Sequence, residues 1–498
     1  MPQRNPVLTK RTLDKDLDKL TYVEDAARYV SRRLVTPGLG LIFLGLAMLF
    51  AGVYVFDRPG AILIIAAAAL AAYMAMNIGA NDVTNNVGAA VGARAITMKQ
   101  ALIIAAVFEV LGATIAGGEV VKTISSSIVD TVQVPPATLG WVMMAALTAA
   151  ALWINLATWM NAPVSTTHAI VGAVIGAGIG AVGFEPVNWR VMLEISISWM
   201  TSPLIGGLIA AGLLYLVKTL IVYQEDKVAA ARRWVPAMIA VMAGGFMAYM
   251  VLQLAPRGRY PSLTILLIGI GIGLVSWLVV RPIVLRQAEN LENRRSSLRT
   301  LFHFPLIGSA ALLSFAHGAN DVSNAVGPLS AIVHSAGIAD SGMIGQPPLW
   351  VMLIGAFGIS VGLLLFGPRL IRLVGSEITK LNPTRAYCVA LSTAFTVIVA
   401  SWLGLPVSTT HIAVGSVFGV GFFREWYTRH SKRRIEFIRR KAEAFEIDEP
   451  EPNVHEARRR YLVRRSHFMT IVGAWVITVP VSAALAAVIY WAMFALFM

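Results

Sequence analysis

Two short stretches of this sequence carry the same polar residues inside otherwise apolar surroundings. NIGANDVTNNVG occupies residues 77–88, and AHGANDVSNAVG occupies residues 316–327. Each stretch sets a carboxylate, Asp82 or Asp321, beside asparagines in or next to a hydrophobic run. An ionised carboxylate buried alone is costly, so it has to be paired, protonated or bound to a cation. Because carboxylate and amide oxygens suit hard cations, the doubled acids are predicted to bind a cation such as Na⁺ or to carry H⁺.

A second pair of stretches is rich in hydroxyl groups. NAPVSTTHAIVGA (161–173) recurs as GLPVSTTHIAVGS (404–416). In each copy a proline suits the first turn of a helix, and a serine and two threonines follow it. A helix N-terminus has unpaired N–H groups and a partial positive charge, so it attracts anions. Two such ends predict a cage of donors for a small tetrahedral oxyanion. Its hydroxyl ligands would be Ser165, Thr166, Thr167, Ser408, Thr409 and Thr410.

The spacing of the motifs shows that the chain contains one unit twice. Asp321 follows Asp82 by 239 residues, and Ser408 follows Ser165 by 243 residues. Two different motifs that recur in the same order at nearly the same offset indicate an internal duplication. The acids and the hydroxyl clusters are therefore expected to work together as two symmetric halves of one site.

The composition indicates that both copies lie in a membrane. Of 498 residues, 57% are hydrophobic and 14% are charged, and the mean hydropathy is +0.69. Several runs have the roughly 20 apolar residues that a spanning helix needs, and they do not alternate as barrel strands do. The basic residues behind the net charge of +14 lie between these runs. This pattern is typical of cytoplasmic loops in contact with anionic lipid, so no nucleic-acid partner is predicted.

Placing the basic segments in the cytoplasm orients the two copies in opposite directions. Residues 139–183 then begin and end outside, and residues 384–422 begin and end inside, so each is predicted to be a re-entrant hairpin. The predicted fold is an all-α polytopic membrane protein. It has an inverted-topology repeat, two re-entrant helical hairpins and broken helices at the midplane. Such repeats are characteristic of secondary transporters, whose site lies between the repeats near the midplane.

The predicted organisation follows from this topology, with a cytoplasmic N-terminus in the cell (inner) membrane. The segments are a basic N-terminal arm (1–34), an extra span (35–58), the first repeat (60–217), basic loops with two linking spans (218–300), the second repeat (301–423), a charged cytoplasmic loop (424–467) and a final span (468–498). The spans outside the repeats are expected to form a frame, with a homodimer contact as one option.

Three further residues are candidates for tuning the site. Glu109 lies in a predicted span, where acids are functional by default, but its counterpart in the second copy is the apolar Ile359. Glu109 is therefore expected to lie outside the symmetric core. His168 and His411 end the hairpin motifs. A structural hydrogen bond is favoured for them over a proton relay.

The doubled motifs resemble those of the PiT family of inorganic phosphate transporters, over residues 60–425. The resemblance implies cation-coupled uptake of inorganic phosphate, with no cofactor beyond the co-transported Na⁺ or H⁺. It implies that phosphate is bound by the hairpin hydroxyl groups and by the two aspartates. The residues that it implies for the coupling ion are Asp82, Asn81, Asn85, Asp321, Asn320 and Asn324. Thr84, Asn86 and Ala89 in the first copy depart from the usual pattern of the family.

Other functions explain the repeated motifs less completely. An intramembrane aspartyl protease would account for two acids but not for two hydroxyl-rich hairpins. A serine hydrolase built on Ser165 and His168 would need only one nucleophile. An anion channel has no need of buried acids. Sulfate or another tetrahedral oxyanion is the alternative substrate, but phosphate can donate a hydrogen bond to a carboxylate and sulfate at neutral pH cannot. We therefore expect a phosphate symporter with alternating access, and not an enzyme.

Overall fold

The computed structural model is helical throughout the part that it describes, residues 34–131, 133–160, 164–255, 259–337, 346–377, 382–444 and 465–497. No β-strand longer than one isolated bridge forms in these ranges. The helices are α1 (Leu34–Val55), α2 (Ala61–Gly92), α3 (Met98–Ala116), α4 (Gly118–Lys122), α5 (Pro136–Trp159), α6 (Thr166–Val182), α7 (Trp189–Val217), α8 (Lys227–Leu254), α9 (Ser262–Ala288), α10 (Ser297–Leu301), α11 (His303–Asp321), α12 (Ser323–Ser335), α13 (Leu349–Glu377), α14 (Pro383–Trp402), α15 (Thr409–His430), α16 (Lys432–Ala444) and α17 (Arg465–Phe497).

Much of the helical surface is apolar and exposed. Among the described residues, ten helices contain a segment long and apolar enough to cross a membrane: α1, α2, α3, α5, α7, α8, α9, α13, α14 and α17. On α9, for example, Leu266, Leu267 and Ile270 are more than half exposed. Helices satisfy their own backbone groups, which a lipid environment requires. The prediction of an all-α polytopic membrane protein is confirmed.

The two helices that carry the acid motifs differ in continuity. α2 passes unbroken through the first motif, whereas the second motif is divided into α11 and α12 at Val322. After the break, the Ser323 hydroxyl donates to the carbonyl of Asn320 at 2.5 Å, and Pro328 lies inside α12. Proline has no N–H to continue the helical ladder, and Ala89 takes its place in the first copy. The proline lies six residues after the break and inside α12, so it does not itself account for the interruption at Val322. The prediction of broken helices holds for the second copy and is wrong for the first, because α2 is continuous.

Two helical pairs form the hairpins. α5 packs on α6, and α14 packs on α15. Ser165 is the N-cap of α6 and accepts from the His168 N–H at 3.2 Å, and Ser408 caps α15 through the His411 N–H at 3.3 Å. In the second bend, Gly404 has a φ of +70°, a backbone conformation that favours glycine. The first bend at residues 161–163 lies outside the described residues.

The two halves of the chain pack reciprocally. α2 packs on α13 and α11 on α3, while α7 packs on the second hairpin and α17 on the first. Matching glycines make the closest approaches. A Cβ added to Gly79 would lie 1.9 Å from the carbonyl oxygen of Ile359, and one added to Gly318 would lie 2.2 Å from that of Glu109. Only glycine allows helices to approach this closely. The correspondence of Glu109 with Ile359 therefore holds in the packing as well.

The segment after the second hairpin differs from the loop predicted over residues 424–467. α15 continues to His430, and α16 then occupies Lys432–Ala444. These residues are rich in Arg, Lys, Glu and Ala, which favour helix, and contain no proline or glycine. Residues 445–464 and the arm at residues 1–33 lie outside the described residues.

Candidate functional site

The two aspartates of the repeated motifs lie in the interior, beside the first turns of α6 and α15. Asp82 is on α2 and Asp321 ends α11, and each is 1% exposed. The first N–H groups of a helix have no intrahelical partner. In α6 and α15 these groups belong to the threonines after the capping serine. Carboxylate acceptors and helix N-termini therefore meet in one buried volume.

Asp82 accepts hydrogen bonds from both hairpins. Thr410 Oγ1 donates to its Oδ1 at 2.9 Å, and Thr166 Oγ1 donates to its Oδ2 at 3.4 Å. The neighbouring amides of Asn81 and Asn85 donate to Oδ1 at 3.2 and 3.3 Å. Asn85 also donates to Thr410 Oγ1 at 2.8 Å. Asp82 thus links α2 to the start of α6 and, across the repeat, to the start of α15.

Asp321 has the matching arrangement. Thr409 Oγ1 donates to its Oδ2 at 2.8 Å. Thr167 Oγ1 contacts its Oδ1 at 3.4 Å and donates more closely to the Val407 carbonyl, at 3.0 Å. Asn324 donates to Thr167 Oγ1 at 3.2 Å and to Thr166 Oγ1 at 3.4 Å. The first threonine of each hairpin therefore contacts the acid of its own repeat, and the second contacts the acid of the other repeat.

The remaining motif residues support the hairpins. Asn320 donates to Ser401 Oγ at 3.0 Å and to the Leu405 carbonyl at 3.1 Å, and its Oδ1 accepts from the Val407 N–H at 3.1 Å. The side chain therefore fixes the second bend. The capping serines, Ser165 and Ser408, fix the helix starts. The structure thus brings the threonines to the aspartates, while Asn320 and the serines contact the hairpin backbone.

One polar group of the site has no counterpart in the other repeat. His317 Nε2 lies 2.9 Å from Asp321 Oδ2 and 3.8 Å from Asp82 Oδ2. Its Nδ1 lies 3.1 Å from Glu109 Oε1, which also accepts from Asn86 Nδ2 at 2.7 Å. All five side chains are buried. Ligand atoms of Asp82, His317 and Asp321 lie within 4.8 Å of one another, so this group can hold a cation.

The sequence interpretation missed His317 and gave Asn86 no role. His317 directly precedes the second motif, where the first copy has Ile78. The available signal was an ionisable side chain inside an apolar span, which is functional by default. The same signal identified Glu109, and the structure brings Glu109 into contact with the site through His317.

The two hairpin histidines form a separate aromatic group. The rings of His168 and His411 are 4.7 Å apart at 77°, and His168 also lies 3.9 Å from the ring of Trp199. Trp199 Nε1 donates to the carbonyl of Pro406 at 2.8 Å. These contacts join the two hairpin starts to α7.

Comparison with known proteins yields a family and a fold. The "Phosphate transporter family" matches residues 78–486. A relative from Helicobacter pylori (strain J99), named "Putative phosphate permease", is 42% identical over 94% of this chain and 96% of its own. One of the same description from Pyrococcus abyssi is 37% identical, over 70% of this chain and 86% of its own. A solved structure described as "The sodium-dependent phosphate transporter" is 35% identical, with a TM-score of 0.76, and the match covers 87% of this chain and 100% of that chain.

Proposed function

The chain belongs to the phosphate transporter family, and from this premise we propose that it is a symporter importing inorganic phosphate together with Na⁺. The matched region contains both acid motifs and both hairpins, so the PiT family recognised in the doubled motifs is confirmed. The family consists of transporters, not of enzymes. The coupling cation, the direction of transport and the residue roles below are our proposal.

The observation that carries the proposal is that each aspartate is shared by two hairpins. Three carboxylates in one buried volume repel an anion that arrives alone whenever they are ionised. A cation bound between the acids removes this repulsion. Phosphate can then approach the free N–H groups at the starts of α6 and α15. Phosphate binding consequently depends on the cation, and this dependence is the physical basis of symport.

Within the site, we place the cation closest to Asp82. The imidazole of His317 is 2.9 Å from Asp321 but 3.8 Å from Asp82, so Asp321 already has a counter-charge when His317 is protonated. Asp82 is surrounded by oxygen and amide groups, among them Thr166, Thr410 and Asn85. Oxygen ligands suit Na⁺, and the solved relative is described as sodium-dependent. Coupling to H⁺ would instead protonate the acids.

Alternating access is proposed to proceed by relative motion of the two repeats. The reciprocal packing of α2 on α13 and of α11 on α3 supports an inverted repeat with the site at its interface. The second threonine of each hairpin contacts the acid of the other repeat. Relative motion of the repeats would therefore break these contacts and keep those of Thr166 and Thr409 to the acid of their own repeat.

Phosphate is proposed over sulfate because of the acceptors at the site. Inorganic phosphate at neutral pH has P–OH groups that can donate to a carboxylate, whereas sulfate has only acceptors. Asp82 and Asp321 are the acceptors beside the hairpin N-termini. Unlabelled sulfate is therefore expected to compete poorly with phosphate.

The test is uptake of radiolabelled phosphate into proteoliposomes under separate Na⁺ and pH gradients. Wild type is expected to accumulate phosphate under the Na⁺ gradient alone, and Asp82→Asn and Asp321→Asn are expected to lose accumulation. Asp130→Asn is the matched control, because the Asp130 carboxylate accepts from Gln133 away from the site. In the absence of phosphate, Na⁺ should stabilise wild type against unfolding. This stabilisation should be lost more completely in Asp82→Asn than in Asp321→Asn. Uptake driven only by the pH gradient would identify H⁺ rather than Na⁺ as the coupling ion. Normal accumulation by both variants would refute the coupling mechanism.

A further inference from the structure

A group of cations lies at the opposite end of α7 and α15 from the hairpin starts. We call it the basic cluster, and its members are Lys218, Arg295, Arg385, Arg424 and Arg434. They come from the end of α7, the segment before α10, the start of α14, the end of α15 and the start of α16. Basic residues at helix ends mark the cytoplasmic side, so the cluster is expected to face the cytoplasm.

Aromatic rings hold two members of the cluster, Lys218 and Arg295, in place. Lys218 Nζ lies 4.2 Å from the ring centroid of Tyr427 and 5.0 Å from that of Phe423. The Tyr427 ring stacks on Tyr223 at 5.7 Å, and Arg295 Cζ lies 5.6 Å from the Tyr223 ring. Cation–π contacts of this kind fix cationic side chains that would otherwise be mobile. Lys218 also begins a π-helical turn, Lys218–Val222, and such turns are frequent at functional sites.

Like charges face one another in this group. Lys218 is repelled by all four arginines of the basic cluster, and Arg385 is also repelled by Arg299. Lys218 and Arg385 are half-buried, which limits the screening of this repulsion by water. Clustered cations are costly unless an anion neutralises them.

The carboxylates of the described residues do not supply this anion to four of the five cations. Within the described ranges, no carboxylate forms an ion pair with Lys218, Arg295, Arg385 or Arg434. The nearby acids pair with other arginines, in the pairs Glu292–Arg294, Glu425–Arg429 and Glu436–Arg440. The positive charge of these four side chains is thus left for a ligand.

We propose that the basic cluster binds a phosphate-bearing anion, at a second site separate from the transport site. Arginine guanidinium groups present paired N–H donors that match phosphate oxygens, and a lysine adds a point charge. Arg385 is already oriented for this by its Nε, which donates to Asn382 Oδ1 at 2.9 Å, and Arg434 by a 2.8 Å bond from Nη1 to the Thr428 carbonyl. The anion would join the outer ends of α7, α14 and α15, which pack together.

The experiment measures thermal unfolding of the full chain in lipid nanodiscs. One arm adds pyrophosphate to discs of phosphatidylcholine. The other replaces about one third of that lipid by anionic phosphatidylglycerol. Both arms compare wild type with Lys218→Gln, Arg434→Gln and the charge-retaining Lys218→Arg. Arg281→Gln is the matched control, because Arg281 lies over Trp277 on α9, outside the cluster. Uptake of phosphate by each variant checks its fold independently.

A shift in the unfolding midpoint is expected in wild type, Lys218→Arg and the control, with an apparent affinity about tenfold weaker in each glutamine variant. A cluster-dependent shift with pyrophosphate identifies a soluble anion, and one only in the anionic discs identifies a lipid headgroup. Equal shifts in the glutamine variants and in Arg281→Gln, or no shift in either arm, would overturn the inference. Absence of phosphate uptake by wild type would instead refute the transport proposal, so the two failures are distinct.

Discussion

Thr410→Val tests whether the hydrogen bonds that cross between the repeats control cation binding. Valine has nearly the shape of threonine, so the change removes a hydroxyl and little volume. The hydroxyl donates to Asp82 Oδ1 at 2.9 Å and accepts from Asn85 Nδ2 at 2.8 Å. Both groups belong to the first repeat, whereas Thr410 begins the second arm of the second hairpin. The variant therefore separates Asp82 from the opposite hairpin without altering any charge.

The size of the effect follows from these two bonds. A hydrogen bond to a charged group contributes about 1.5–3 kcal/mol, and one between neutral groups about 1 kcal/mol. If only the bond to Asp82 contributes to the free energy of cation binding, its loss costs about 2 kcal/mol and weakens the apparent Na⁺ affinity about 30-fold. Thr167→Val should cost less, because the bond of Thr167 to Asp321 is longer, at 3.4 Å.

The assay is the Na⁺ dependence of phosphate uptake in proteoliposomes, with the half-saturating Na⁺ concentration as the readout. Thr410→Ser keeps the hydroxyl and should stay close to wild type. Thr148→Val is the control for loss of a half-buried hydroxyl, since Thr148 donates only to the Met144 carbonyl of its own helix. An unchanged Na⁺ dependence in Thr410→Val, or an equal defect in Thr410→Ser, would refute the reasoning.

Three further predictions concern packing, counter-charge and capping. Gly79→Ala should lower the unfolding temperature and uptake together, because its Cβ would lie 1.9 Å from a carbonyl oxygen, whereas Gly92→Ala meets nothing within 4 Å and should be tolerated. His317→Gln should reduce phosphate uptake and alter its pH profile, because it removes the ring between Glu109 and the aspartates; a wild-type pH profile would exclude the imidazole from coupling. Ser165→Ala should cost about 1 kcal/mol of stability, as measured by chemical unfolding, while Ser165→Thr, which can still cap α6 without adding a charge, should lose less.

The repeated residues could be predicted from the sequence, because each of them occurs at the same place in both copies of the motif. The doubled acids and hydroxyl hairpins identified the family, and the apolar runs identified the spans. Motif identity did not determine the contacts of each residue, however. Asn81 and Asn320 occupy equivalent positions, yet Asn81 donates to Asp82 and Asn320 holds the second hairpin bend. That difference arises from the fold around each copy, which a local pattern does not contain.

The residues that occur once were harder to predict, for a related physical reason. Glu109 and His317 lie on α3 and α11, in different repeats, and their counterparts are Ile359 and Ile78. They meet only because Gly318, next to His317, lets the two helices approach at the carbonyl of Glu109. A comparison of the two copies finds no counterpart for either residue. In the structure, however, Glu109 and His317 are each other's polar partners.

This asymmetry bears on how a duplicated site can couple two different ions. Two identical halves would give two equivalent aspartates and no reason for a cation to prefer either. His317 removes that equivalence, because its ring is nearer to Asp321 than to Asp82 and is held from behind by Glu109. The hydroxyl groups around the acids keep their two-fold arrangement. Under the proposed mechanism, the symmetric donors would suit an anion held between both hairpins, and the single imidazole would leave one acid for the cation. The two ions would then occupy adjacent places in one buried volume.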